Sequence, residues 1–398
     1  MSLTPEADGA VASRARGFAF WSFALHLFGI WALAASNFLM GVSTLAVLAG
    51  RRRATTLPPS SWRLQRPLLV YVLVFLASAA FSYEPRTSLA QLDDLLALLT
   101  LGLTLVLVRD EAGARLLVRG LVVMGALVAA LGLAQVAAGA AGVEVGRRIP
   151  GPFSHYQTFA GVLLLCAALA LGRLVCGRPW RMPGTLAAAA ILTVALSLNL
   201  TRGSWVALAG AGICLIAVRR PRQLLWVAPA ALAMALLVPA PVRARAASIF
   251  DLRDGSNYDR LCMIEAGLRM VSERPLLGLG PGVVRTRYTL YRHPTAPRDE
   301  RPHLHNSYLQ LAAEQGLLSL AAFVALLGAS FGQTLRNYRR EHGARGPRAD
   351  LHLGVAAALV AYTLAAFFEG NWADTEVQRI ALFVVALPFC LDSPTGEA

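Results

Sequence analysis

Long apolar runs alternate with short polar connections along most of this chain. Twelve of the runs approach the length needed to cross roughly 30 Å of hydrocarbon. The first two share Phe18–Leu48 and divide around Ser36-Asn37. The others are Pro67–Phe81, Leu89–Val108, Leu116–Ala137, Gln157–Val175, Gly184–Leu198, Gly203–Val218, Gln223–Val238, Tyr308–Thr334, Leu353–Phe368 and Val377–Leu391. This pattern predicts an all-α, polytopic membrane protein rather than the short alternating segments of an outer-membrane barrel. One polar stretch, 239–305, is far longer than the other connections. It divides the chain into nine spans over 1–238, a loop domain over 239–305 and three spans over 306–398.

The loop has a pattern of its own. Leu261, Ile264, Leu268 and Val271 recur at helical spacing, so Tyr258–Val271 reads as an amphipathic helix. Pro275 ends it, and a glycine-rich turn follows through Gly282. The loop therefore reads as a small helical cap lying on the bundle.

Charge orients this arrangement. The chain is 56% hydrophobic and 15% charged, against about 25% charged for soluble domains. All 37 basic residues are arginine, as base composition alone can produce. With the N-terminus inside, the inside connections hold clusters such as Arg51 to Arg53, Arg109 with Arg115 and Arg119, and Arg219 with Arg220 and Arg222. The short outside connections hold only Arg86, Arg147, Arg148 and Arg202. That is the positive-inside pattern. It places both termini in the cytoplasm and the 239–305 loop outside. The net charge of +14 is then largely topological and carries no nucleic-acid signal. The loop runs against the bias, with eleven arginines and seven acids, a surplus of four positive charges.

Chemistry concentrates at that outer surface. His305 stands where the loop re-enters the membrane. A histidine there can take a proton from a hydroxyl near neutral pH, or simply cap the helix that begins at Asn306 or Ser307. His303 reads as its supporting residue. Arg202, at the outer end of a tight helical hairpin, and Arg260, on the loop helix, can bind phosphate through planar forks. The alternatives are snorkelling for Arg202 and an ion pair with Asp259 or Glu265 for Arg260. Arg147, Arg148 and His155 border another outer connection, where headgroup contact competes with a substrate role. Glu314 lies one to two turns into a span and should face the protein interior. Asp93 and Asp94, near the start of another span, have no assigned role.

Several chemistries are excluded. The five cysteines include no CxxC or Cys/His metal spacing. The Gly278-Leu-Gly-Pro-Gly282 run has no following lysine and is not a nucleotide P-loop. No acidic pair is placed to hold the metal of a sugar nucleotide. The sequence thus points to metal-free, cofactor-free chemistry on a substrate that arrives already activated.

Three motifs in order carry a resemblance: Thr201-Arg-Gly-Ser-Trp205, then Arg260 with Pro275-Leu-Leu-Gly-Leu-Gly280, then His305-Asn-Ser-Tyr-Leu309 with Glu314 and Gly316. Across roughly 115 residues the chain resembles the O-antigen ligase and O-antigen polymerase superfamily of bacterial envelope enzymes. One departure is Ser154-His155, where many relatives carry asparagine. The resemblance implies a GT-C-like bundle of about twelve helices in the inner membrane, with its active site facing the periplasm. It implies inverting, metal-independent transfer of a glycan from undecaprenyl pyrophosphate to a sugar hydroxyl of lipid A–core. In that reading His305 is the base, and Arg202 and Arg260 hold the pyrophosphate, with His303, His155, Arg147, Arg148 and Glu314 around the substrates. An O-antigen polymerase or a protein O-oligosaccharyltransferase would share the chemistry. A transporter of lipid-linked glycan is the rival from another class, but no repeated halves are evident.

Overall fold

Polar side chains fix where several of the helices begin. The computed structural model describes residues 5–50, 57–142, 147–177, 182–229, 239–251, 254–341, 343 and 346–392. The first helices are α1 (Pro5–Phe28), α2 (Leu33–Ala49), α3 (Trp62–Ala80), α4 (Pro85–Ala90), α5 (Leu99–Leu107), α6 (Glu111–Ala137), α7 (Tyr156–Cys176), α8 (Pro183–Leu198) and α9 (Arg202–Arg219). The long connection holds α10 (Ala240–Ala247), α11 (Gly255–Glu273) and α12 (Val283–Tyr291). The chain ends in α13 (Ser307–Arg340), α14 (Ala349–Ala365) and α15 (Thr375–Cys390). Asp110 caps α6 by accepting from Gly113 N at 2.7 Å, and Asn306 caps α13 by accepting from Leu309 N at 3.0 Å.

The described residues are helical with no strand, as expected of a helical membrane protein. Six helical stretches among them are long and apolar enough to cross a membrane: Pro59–Ala80, Pro85–Leu107, Glu111–Ala137, Tyr156–Cys176, Arg202–Arg219 and Ser307–Arg340. Leu33–Ala49, Pro183–Leu198 and Ala349–Ala365 are shorter apolar helices. Most of the span expected over Gln223–Val238 falls on 230–238, outside the described residues.

The first pair of helices breaks at 29–32 rather than at Ser36-Asn37. Ser36 and Asn37 lie inside α2, and their polarity is met by partners in space. Ser36 Oγ donates to His26 O at 3.1 Å and accepts from Arg379 Nη1 at 3.1 Å. The stretch between α4 and α5, with Asp93 and Asp94, is an eight-residue 3-10 helix, long for that geometry.

The core centres on α7, which packs against α6, α8, α9, α14 and α15. Gly172 of α7 meets Gly354 of α14 at the closest crossing. A Cβ on Gly172 would fall 2.1 Å from Gly354 N, so the approach depends on small residues.

Segment 240–304 builds a second apolar cluster from Met263, Ala266, Met270, Val284, Tyr288 and Leu304, closed by Ala313 of α13. Helix α11 contains the predicted Tyr258–Val271, but it turns the other way. Met263, Ala266 and Met270 face this cluster and Val271 packs against it, while Leu261, Ile264 and Leu268 are exposed. Helical spacing alone does not show that the smaller stripe is the one that packs.

The glycine-rich turn is a docking strip. Leu279 N and Gly280 N donate to Ala313 O and Glu314 O at 2.9 and 2.8 Å, and Leu317 N donates to Pro275 O at 2.7 Å. These bonds are possible because α13 opens at Gly316, with φ 79° and ψ 174°. A side chain at Gly316 would strike Leu276 O at 2.0 Å. The order of elements thus brings the starts of α7, α9, α13 and α15, the end of α14 and the loop helices to one end of the bundle.

Candidate functional site

Two residues strain the backbone at that end. Among the described residues, only Leu200 and His305 combine positive φ with a non-glycine side chain, at 61° and 49°. Such conformations cost on the order of 1–3 kcal/mol and cluster at functional sites. Leu200 turns the α8–α9 hairpin just before Arg202. His305 turns the loop into α13. His303 supports that turn: His305 N–H donates to His303 Nδ1 at 3.4 Å, and the two rings meet edge to face at 4.1 Å. Burial, then the neighbouring His305, push the His303 imidazole down to about 3, so it is neutral.

His305 Nδ1 lies 3.6 Å from Glu369 Oε2. The other carboxylate oxygen, Oε1, takes Arg260 Nη2 at 3.0 Å. Gln157 Nε2 lies 3.1 Å from His305 Nδ1 and also donates to Glu369 Oε2. Burial acts to raise the Glu369 pKa, but the nearby His305 and the charge of Arg260 outweigh it and hold the carboxyl below its ordinary value. Glu369 is therefore an anion clamped between a guanidinium and an imidazole.

This array borders a cavity of about 220 Å³. Arg202, Arg260 and His305 give it a basic end, and Val206, Ile264 and Phe367 give it an apolar wall. Phe367 is 53% exposed and Leu261 47%, so the wall continues onto the surface. The basic end is crowded with positive charge. Burial, then Arg202 and Arg148, push the Arg245 guanidinium down to about 10. The N-termini of α9 and α13 add the positive ends of their dipoles.

The two arginines singled out from the sequence are not equivalent. Arg202 is 6% exposed and committed to the loop. Its Nη1 donates to Ser248 O and Oγ at 2.6 and 2.7 Å, and its Nη2 to Ser256 Oγ and Asn257 Oδ1 at 2.7 and 2.6 Å. It also pairs with Asp254, the cap of α11, at 3.3 Å. It does not snorkel. Arg260 pairs with Glu369, not with Asp259 or Glu265, and its side chain is 28% exposed.

The remaining candidates lie off the cavity lining. His155 caps α7, accepting from Gln157 N at 3.3 Å, and its ring packs on Tyr156. Burial, then the charge of His305, lower its pKa. Arg148 stacks over Tyr156 at 4.6 Å. Arg147 donates to Gly139 O at 2.9 Å. Glu314 faces the interior and accepts from Val284 N at 3.3 Å, which ties α12 to α13. Glu369 and Gln157 were not among the sequence candidates. A lone carboxylate closing an apolar span, on the same predicted side as His305, was the available signal.

Residues 187–324 match the family model described as O-Antigen ligase. Over those residues the chain is similar to the O-antigen ligase family. Members of this family are ligase- and polymerase-type membrane enzymes. The matched segment holds Arg202, Arg260, His305, the glycine-rich docking strip and the opening at Gly316 that receives it, whereas Gln157 and Glu369 lie outside it. No curated protein matches the chain.

Proposed function

We propose that this protein is an O-antigen ligase of the bacterial inner membrane. It moves a glycan from undecaprenyl pyrophosphate to a sugar hydroxyl of lipid A–core, with both termini in the cytoplasm and the cavity facing the periplasm. The single observation that carries this reading is the Arg260–Glu369–His305 array at the basic end of a cavity with an apolar wall. A lipid pyrophosphate has the matching form: an anionic head, a greasy tail and a good leaving group at the anomeric carbon.

In this reading the reactive tautomer carries its proton on His305 Nδ1, toward Glu369 and with the Gln157 amide turned to present its oxygen, which leaves Nε2 as the basic nitrogen. Nε2 takes the proton of the acceptor hydroxyl as that oxygen attacks the anomeric carbon. The bond from the anomeric carbon to the pyrophosphate oxygen breaks with its electron pair on the phosphate, and the configuration inverts. Glu369 stabilises the imidazolium that forms. Arg260, the more accessible guanidinium, meets the charge growing on the phosphate. Arg202 anchors the Ser248–Asn257 segment to α9 and acts on the phosphate through its charge. His303 holds the backbone turn that aims His305.

The test is reconstitution of the purified protein in liposomes with lipid-linked glycan and lipid A–core, in the presence of EDTA, followed by product analysis. The reading expects glycan joined to the core sugar with inverted anomeric configuration. Lengthened lipid-linked glycan would identify a polymerase instead. A requirement for a divalent metal, or transport without covalent transfer, would overturn the proposal.

A further inference from the structure

The opposite end of the bundle holds a second cavity of about 250 Å³, between α6, α7, α8 and α14. Positive-inside topology accounts for arginine at this end. It does not account for the convergence of Arg115, Arg119 and Arg173 on one cavity. Arg115 is satisfied: it pairs with Asp350 and Glu111 at 2.6 Å each and donates to Pro347 O at 2.9 Å. Asp350 is the one acid in the lining, and it is thereby neutralised. Arg119 and Arg173 have no carboxylate within ion-pair distance among the described residues. The lining therefore carries three guanidinium groups against one carboxylate, and with Glu111 beside it the local surplus is one positive charge.

The rest of the lining is mostly apolar and reaches the exposed face of α6. Val118, Val122, Leu169 and Leu351 form the wall. Val123, at the mouth, is 56% exposed, and Leu127, one turn further along α6, is 63% exposed. Two guanidinium groups above an apolar strip that runs along a membrane-facing helix match a phosphodiester joined to acyl chains. A volume of about 250 Å³ suits the headgroup, with the chains lying along Val123 and Leu127 outside it. The Thr185 hydroxyl, at the start of α8, adds a neutral donor.

We infer that this cavity is a binding site for an anionic glycerophospholipid, held by Arg119 and Arg173 through its phosphate. The site is remote from His305 and does not depend on the proposed transfer reaction. It would fix the α6–α7–α8–α14 face to a lipid of chosen charge.

The test uses the full-length protein, released from bilayers of equal phosphatidylglycerol and phosphatidylcholine and examined by native mass spectrometry. The wild type should retain phosphatidylglycerol selectively. The double variant Arg119→Gln with Arg173→Gln should lose that selectivity by about tenfold or more. The control Arg220→Gln with Arg222→Gln, which removes two charges outside the cavity, should keep it. Val123→Trp fills the mouth and leaves both guanidinium groups in place; it should lower retention as well, which keeps the test decisive if the double variant misfolds. Equal selectivity in wild type and in both cavity variants would overturn the proposal. So would an equal loss in the control, which would mean diffuse surface charge. Displacement of the lipid by millimolar inorganic phosphate would reassign the cavity to a free anion.

Discussion

The bundle carries the same three side chains, histidine, glutamate and arginine, as a cluster at each end. At one end Glu369 joins Arg260 at 3.0 Å and His305 at 3.6 Å. At the other end Glu341 joins His352 at 3.2 Å and also pairs with Arg348. The difference is access. The His352 and Arg348 side chains are 1% and 6% exposed, so that cluster is sealed between the α13–α14 turn and the core. His305 and Arg260 are 16% and 28% exposed and open onto a cavity. His305 also sits on a strained turn, whereas His352 lies within a regular helix. Residue types alone do not separate a site from a staple. A path for substrate, and a backbone held out of its ordinary conformation, do.

Matched substitutions can break this contrast. The largest separation should come from the two carboxylates. Glu369→Gln should lower glycan transfer by about a hundredfold, because the imidazolium loses its counter-charge, and cost less stability than Glu341→Gln, because Arg260 and His305 stay open to water. Glu341→Gln should leave transfer per folded molecule near wild type and cost about 3–5 kcal/mol of stability, the scale for breaking a buried pair. Transfer assays beside unfolding in detergent distinguish the two results. If Glu341→Gln lowered transfer as much as Glu369→Gln, the contrast would collapse.

A smaller effect is expected at the accessible arginine. Arg260→Lys should reduce transfer about tenfold, because an ammonium cannot reproduce a guanidinium fork toward both Glu369 and phosphate. Arg148→Lys, off the cavity, should change transfer little. Comparable transfer rates for Arg260→Lys and wild type would reduce Arg260 to a surface ion pair.

The smallest expected effect is on the pH dependence of stability. His303 is neutral in the fold, with its pKa depressed to about 3. The unfolded chain therefore binds a proton there more readily. The stability this group supports is complete above the ordinary histidine pKa of about 6.5 and falls as the solution is acidified below it. His303→Asn should flatten the decline in unfolding temperature between about pH 6.5 and pH 4. An unchanged slope would mean that His303 is not held neutral.

The sequence made the outline legible. Apolar runs, arginine asymmetry and three ordered motifs pointed to a helical membrane protein with Arg202, Arg260 and His305 at one end, and those three line one cavity. Glu369 was not legible because its role depends on the end of α14 reaching a residue 109 positions earlier, Arg260. Gln157 is farther still from His305, at 148 positions. The orientation of α11 also escaped, since its larger apolar stripe borders the cavity and the surface while a stripe of methionine and alanine packs. The glycine motif was visible as a turn, but its purpose was not. It needs the partner opening at Gly316, a φ change inside what reads as one continuous span.

The central claim is that His305 is the base of a transfer reaction at this cavity. The most direct measurement is single-turnover transfer by His305→Ala in liposomes, with donor binding and unfolding followed in the same preparation. The account predicts a folded protein that still binds the lipid-linked donor and transfers at least about 100-fold more slowly. Transfer near the wild-type rate would contradict it.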